Sequence, residues 1–159
     1  MMVEAVVFDC GRTLFNPDTG DLLPGVRETL TDLKCREIKL GLLTVAVTDD
    51  VSQRDKEIAG FGMRDFFEAI EIIPRSARGK DFKNIFINLG VEKKPGNCLV
   101  VGDNLKREIE AGNRIGAWTV WTRQNLSADW RPQNEMQEPK IIIDDIREVT
   151  AVVDELNSL

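Results

Sequence analysis

Histidine is absent from this chain of 159 residues, which excludes every catalytic triad or metal site built on an imidazole. Cysteine is scarce: Cys10, Cys35 and Cys98 form an odd, widely spaced set without a C-x-x-C pair. Such a set gives no zinc site and suits free thiols in a reducing compartment. Long apolar runs are missing as well. The longest, residues 40–43 and 141–143, fall far short of the roughly 20 residues that a membrane-spanning helix needs. The chain leads straight into residues 3–9 without a basic head or a small-residue cleavage site, so no export signal is expected and a cytoplasmic location is. Basic charge is outweighed by acidic: 21 Lys and Arg against 27 Asp and Glu leave a net charge of −6. That balance gives no global attraction to nucleic acid or to a membrane surface, and neither is expected as a partner. The local basic residues Arg75, Arg78, Lys83, Lys106 and Arg107 read as solvated surface charge; Lys80 is set apart from them below.

What is present is an ordinary globular composition, 42% apolar and 30% charged, at a length that suits one domain over residues 1–159. Residues 3–8 form a short β-branched run ending at an Asp, the pattern of a strand buried on both faces. Pro24-Gly25 marks a helix start, with Val26, Leu30 and Leu33 at helical spacing, and residues 38–43 resume a buried strand. Asp49 and Asp50 suit the cap of a helix that runs to residue 59 and is stopped by Gly60 and Gly62. Strands are expected at 69–73, 98–101, 117–121 and 141–143, and helices at 81–89 and 105–115. A last helix starts at Asp144, with Ile146, Val149, Val153 and Leu156 on one face. Residues 124–139 are polar, are broken by Pro132 and Pro139, and read as a long surface loop. This alternation predicts an α/β fold: a doubly wound, three-layer α/β/α, Rossmann-like domain around a parallel sheet of five to six strands.

Ligands of such sheets sit at the carboxyl ends of the strands. Three strands end there in polar residues: Asp9 after the first, Thr44 after the second, and Gly102-Asp103 after the fourth. Asp9 directly follows an apolar run, where a carboxylate is costly unless a cation or hydrogen bonds compensate it; a turn or capping Asp is the plainer alternative. Asp103 equally suits a simple N-cap of the helix behind it. Glu108, five positions on, brings a further acid to the same strand end, and oxygen ligands of this kind suit Mg²⁺ together with a substrate phosphate. Thr44 offers a hydroxyl and a following N–H for phosphate oxygens. Lys80 is placed to neutralise both Asp9 and a bound phosphate, the alternative being a solvated lysine.

Together these residues resemble the haloacid dehalogenase (HAD) superfamily: Asp9-Cys10-Gly11-Arg12-Thr13-Leu14 as first motif, Thr44 as second, Lys80 as third, and Gly102-Asp103 with Glu108 as fourth. The resemblance extends over roughly residues 3–122. It implies a nucleophilic Asp9 that forms an aspartyl-phosphate. It also implies Mg²⁺ as the cofactor, bound by Asp9, the Gly11 carbonyl and Asp103, with Glu108 holding the metal's waters. Thr44 and Lys80 would hold the phosphoryl oxygens of a phosphorylated substrate.

Two departures qualify the resemblance. Family phosphatases carry a second Asp where this chain has Gly11, and usually a Gly where it has Arg12. Loss of that positioned general acid–base typically lowers the rate by about 10²- to 10⁴-fold, and a guanidinium does no ordinary proton transfer at neutral pH. The chain also leaves no room for a cap domain, so the expected site is open: it suits a large substrate, or a lid borrowed from a second copy or a protein partner. A partial cover by residues 124–139, with Trp130, is the weaker alternative to a plain loop. The expected activity is therefore a Mg²⁺-dependent phosphohydrolase or phosphotransferase. The alternatives are a catalytically impaired HAD-like module that binds phosphorylated ligands or a protein, and, more distantly, a response-regulator-like receiver.

Overall fold

The computed structural model describes residues 1–77, 80–124 and 130–159. Arg78 and part of the loop expected over 124–139 lie outside the described residues.

The centre of the fold is a strand covered on both sides. All four residues of β1 (Ala5–Phe8) are buried. Successive side chains of a strand point to opposite faces, so Val6 and Phe8 join one apolar cluster and Ala5 and Val7 the other. Around it lie β2 (Lys39–Val45), β3 (Ala69–Ile73), β4 (Cys98–Gly102), β5 (Trp118–Thr122) and β6 (Ile141–Ile143). All pair in parallel, in the order β3-β2-β1-β4-β5-β6. The expected parallel sheet is thus present with six strands. Helices α1 (Val26–Cys35), α2 (Ser52–Gly60) and α5 (Glu148–Asn157) bury Val26, Leu30, Leu33, Ile58, Val149, Val153 and Leu156 against the Val6 face. Helix α3 (Lys83–Asn88) buries Ile85 and Phe86 on the opposite face, where Ala111 and Ile115 of α4 (Glu110–Ile115) join them. The result is the three-layer α/β/α arrangement.

No cap domain stands over the sheet among the described residues. Between β1 and α1 there is only a two-stranded hairpin, Phe15–Asn16 against Asp21–Leu22, and α2 with β3 fills the stretch between β2 and Lys80. No helix among the described residues is long and apolar enough to cross a membrane.

Several helix boundaries differ from the expected ones because side chains capture the backbone amides ahead of the helix. The last helix begins at Glu148 rather than Asp144, since the Glu148 carboxylate accepts the N–H groups of Asp144 and Asp145 at 2.8 and 2.9 Å. The helix expected from 81 begins at Lys83, whose N–H goes to the Asp81 carboxylate at 2.9 Å. Asp50 accepts from Ser52 at the start of α2, whereas Asp49 instead ties that loop to Ser76 at 2.6 Å. The segment expected as one helix over 105–115 is a π-turn, Leu105–Ile109, followed by α4.

Gly112 on α4 lets the helix approach β5 closely: a Cβ there would lie 2.7 Å from Thr119 Cγ2 and 3.1 Å from Val100 Cβ. Thr119 cannot swing aside cheaply, because its hydroxyl bonds Asn113 and the Lys140 N–H at 2.9 and 3.1 Å. Gly112→Ala is expected to destabilise the fold by about 1–3 kcal/mol, as overpacking of a tight contact does, measurable as a lowered midpoint of thermal unfolding.

Candidate functional site

Strand register brings the sequence-predicted residues together. Phe8 pairs with Leu42 on one side and with Val101 on the other, so Asp9, Thr44 and Gly102-Asp103 emerge at one crest of the sheet. This is where the strand order reverses, between β1's two neighbours, and where a doubly wound sheet places its ligands. Asp9, Gly11, Thr44, Asp103 and Glu108 all line one cavity of about 630 Å³ there.

Lys80 lies beneath its floor, buried, and its ammonium makes three contacts: Asp9 Oδ1 at 2.6 Å, Glu108 Oε1 at 2.5 Å and the Leu43 carbonyl at 2.9 Å. The alternative of a solvated lysine is therefore set aside. Glu108 is turned inward by its second oxygen, which accepts the Asn104 N–H at 2.9 Å. Gly102 makes room for it, since a Cβ at that position would lie 2.3 Å from Glu108 Cγ. Asp103 is not the helix cap. Asn104 takes that role, accepting from the N–H groups of Lys106 and Arg107 at 3.0 and 3.2 Å, which leaves the Asp103 carboxylate for the cavity.

Asp9, Asp103 and Glu108 each offer a carboxylate oxygen within 4.8 Å of the others. Three acids this close, with one ammonium among them, carry unbalanced negative charge. Burial, reinforced by Asp9 and Glu108, pushes the Asp103 carboxyl from its ordinary 3.8 up to about 8. Burial also raises Glu108, against the opposing pull of Lys80. Burial alone would lower Lys80, yet the Asp9 and Glu108 carboxylates hold it above its ordinary value. A hard divalent cation would relieve this repulsion, and all-oxygen donors of this kind fit Mg²⁺.

The family model for haloacid dehalogenase-like hydrolases matches residues 4–116. The chain belongs to this family. Among curated HAD-like relatives, a glyceraldehyde 3-phosphate phosphatase from Methanopyrus kandleri is 36% identical over 137 residues, covering 84% of this chain and 57% of the relative. An N-acylneuraminate-9-phosphatase from Mus musculus is 30% identical over 141 residues, covering 86% and 53%. The chain thus spans about half the length of the curated relatives it matches. A solved HAD phosphatase from Thermococcus onnurineus superposes with a TM-score of 0.75 over 94% of this chain and 97% of its own; at 17% identity it speaks for the fold.

Gly11 stands where the resemblance leads one to expect an acid. Gly11 has room for a side chain: a Cβ there would meet the Arg54 guanidinium at 3.7 Å and Phe15 at 3.8 Å, ordinary van der Waals contacts. Arg12 keeps a left-handed backbone, φ 63°, a conformation that costs a non-glycine residue roughly 1–2 kcal/mol. Residue patterns alone did not single out Arg54. It sits on a polar helix, yet its guanidinium is buried, pairs with Glu57 at 2.9 Å and covers the Phe15 ring at 5.2 Å. Thr13 was likewise unassigned, and its hydroxyl lies 3.5 Å from Asp9 Oδ2. Arg75 and Arg107, expected as surface charge, are exposed and half-buried respectively and stand along the same cavity with Arg12, Arg54 and Trp130. Trp130, within the expected cover, is 38% exposed at that rim.

The raised Asp103 carboxyl sets a pH dependence. Between about 4 and about 8 the cation-free folded chain keeps a proton that the unfolded chain releases, so this group's contribution to stability declines as pH rises through that window. Mg²⁺ needs the ionised carboxylate and should therefore stabilise more at the upper end. The thermal shift produced by Mg²⁺ is expected to be larger at about pH 8 than at about pH 5; equal shifts would show that Asp103 is not titrating at the cation site.

Proposed function

We propose that the chain is a Mg²⁺-dependent phosphohydrolase or phosphotransferase that works through an aspartyl-phosphate on Asp9. The observation that carries this reading is the cluster of Asp9, Asp103 and Glu108 at one strand crest, with the Lys80 ammonium against two of them. Asp9 attacks the phosphorus of a bound phosphate group and the bond to the leaving group breaks, dividing one difficult displacement into two. Lys80 holds Asp9 Oδ1, fixing the nucleophile's orientation, and its charge offsets that of the incoming phosphoryl oxygens. Thr44, at the end of β2, offers its hydroxyl to those oxygens. Bound Mg²⁺, held by Asp9, Asp103 and the Gly11 carbonyl with Glu108 behind them, would supply positive charge against the phosphoryl group. The phosphatase names of the curated relatives support the same chemistry. The open crest suits a large substrate, or a lid supplied by a second copy or another protein.

A second reading, a binding module with little turnover, is favoured by one observation: the place of the proton-transfer Asp is Gly11. With Mg²⁺ present, release of inorganic phosphate from a panel of phosphate compounds is expected, and Asp9→Asn should abolish it. Turnover that survives Asp9→Asn would remove the proposed nucleophile. Gly11→Asp combined with Arg12→Gly restores the usual first motif and relieves the left-handed Arg12. If the wild-type chain is inactive and this double variant turns over phosphate esters, the binding-module reading holds instead.

A further inference from the structure

The cavity wall poses a chemical problem that its floor does not. The floor acids are engaged: Asp9 as nucleophile, Asp103 and Glu108 at the cation site. Among the described residues that line the rest of the cavity there is no carboxylic acid, and the chain contains neither histidine nor tyrosine. Among the described residues, then, no ordinary proton donor of the wall faces a departing group. At the position where one would stand, the open side of Gly11 looks onto the buried guanidinium of Arg54. The other charged residues of the wall, among those described, are Arg12, Arg75 and Arg107. A guanidinium stabilises negative charge and grips phosphate oxygens in a planar fork, but it does not hand over a proton at neutral pH.

We propose that the site acts on phosphoanhydrides, and that the group departing from the Asp9-bound phosphorus is itself a phosphate anion. The inference rests on the aspartyl-phosphate reading above. An alkyl ester expels an alkoxide, which must be protonated as it leaves, and among the described residues the wall offers guanidinium groups and no acid for that step. A phosphoanhydride expels a phosphate, which is stable as an anion in water. In the first step an Asp9 oxygen forms a bond to the terminal phosphorus and the bond to the bridging oxygen breaks. Its electron pair stays on that oxygen, now an anionic oxygen of the leaving phosphate beside the arginines, and no proton moves. In the second step water attacks the aspartyl-phosphate, the Asp9 carboxylate departs, and the proton lost by water passes to the product phosphate or to solvent. Inorganic pyrophosphate and nucleoside polyphosphates share this chemistry, and the exposed Trp130 indole at the rim offers a stacking face only to the second.

The test compares kcat/KM with Mg²⁺ for pyrophosphate, ATP, 4-nitrophenyl phosphate and glycerol phosphate. The anhydrides are expected to exceed glycerol phosphate by at least the effect of a missing general acid, about 10²- to 10⁴-fold. Gly11→Asp should narrow that gap by raising glycerol phosphate turnover. Arg75→Ala with Arg107→Ala, both on accessible side chains, should raise KM for pyrophosphate or ATP by more than it raises KM for 4-nitrophenyl phosphate, whose leaving group is uncharged before cleavage. A preference for pyrophosphate over ATP means that only phosphates are recognised. A preference for ATP, reduced by Trp130→Ala, means that the nucleoside is held as well; both support the proposal. Glycerol phosphate turned over as well as the anhydrides, with Asp9→Asn inactive, would overturn the proposal and leave the aspartyl-phosphate reading standing. So would turnover of 4-nitrophenyl phosphate alone. No turnover of any of the four compounds would take down both.

Discussion

The Lys80 ammonium is the contact on which the arrangement of the crest depends. It joins the carbonyl at the end of β2, the carboxylate after β1 and the inward Glu108 of the turn after β4. A charge buried this deeply is tolerated only when its partners are close and nearly all its donors are used, and three partners for three N–H donors meet that condition. The acids gain as much from it as it gains from them. Without the ammonium, Asp9 and Glu108 would face each other and Asp103 with no counter-charge. Lys80 therefore ties together, through side chains and one carbonyl, three neighbouring strand ends that the sheet's register brings to one crest.

Much of this was legible in the residues and some was not. The strand runs could be read because central parallel strands are apolar on both faces, as in Ala5–Phe8 and Cys98–Gly102, and the polar residue that ends each run stands out. Helix starts were harder. Glu148 and Asp81 draw neighbouring amides out of the helical pattern through their carboxylates, and that competition depends on side-chain direction rather than on residue type. The π-turn at Leu105–Ile109 carries no periodic signature. It places Glu108 inward, which spacing alone could suggest but not decide. Arg54 was invisible for a different reason: a helix of polar residues looks solvated until its neighbour Phe15 is seen to cover one of them.

At the first motif the surroundings of Gly11 bring charge of the opposite sign close to the acids. Gly11 removes a side chain, and the space it vacates borders a guanidinium already anchored by Glu57 and by the Val45 carbonyl. The acidic floor and the basic wall are then separate in position and in sign, the floor suited to a cation and the wall to an anion. The matched stretch is about half the length of the curated relatives, and this chain carries a short hairpin, Phe15–Asn16 against Asp21–Leu22, between β1 and α1.

One contact at the crest reaches outward from the acids. The Trp121 indole N–H donates to the Asp103 carbonyl at 2.9 Å, and the ring is almost wholly buried, with Arg123 beside it at 5.9 Å. Any shift of Asp103 moves the hydrogen-bond acceptor of a shielded fluorophore. Among the chain's three tryptophans, Trp121 is thus the one whose indole is tied by a hydrogen bond to the backbone of the acidic floor.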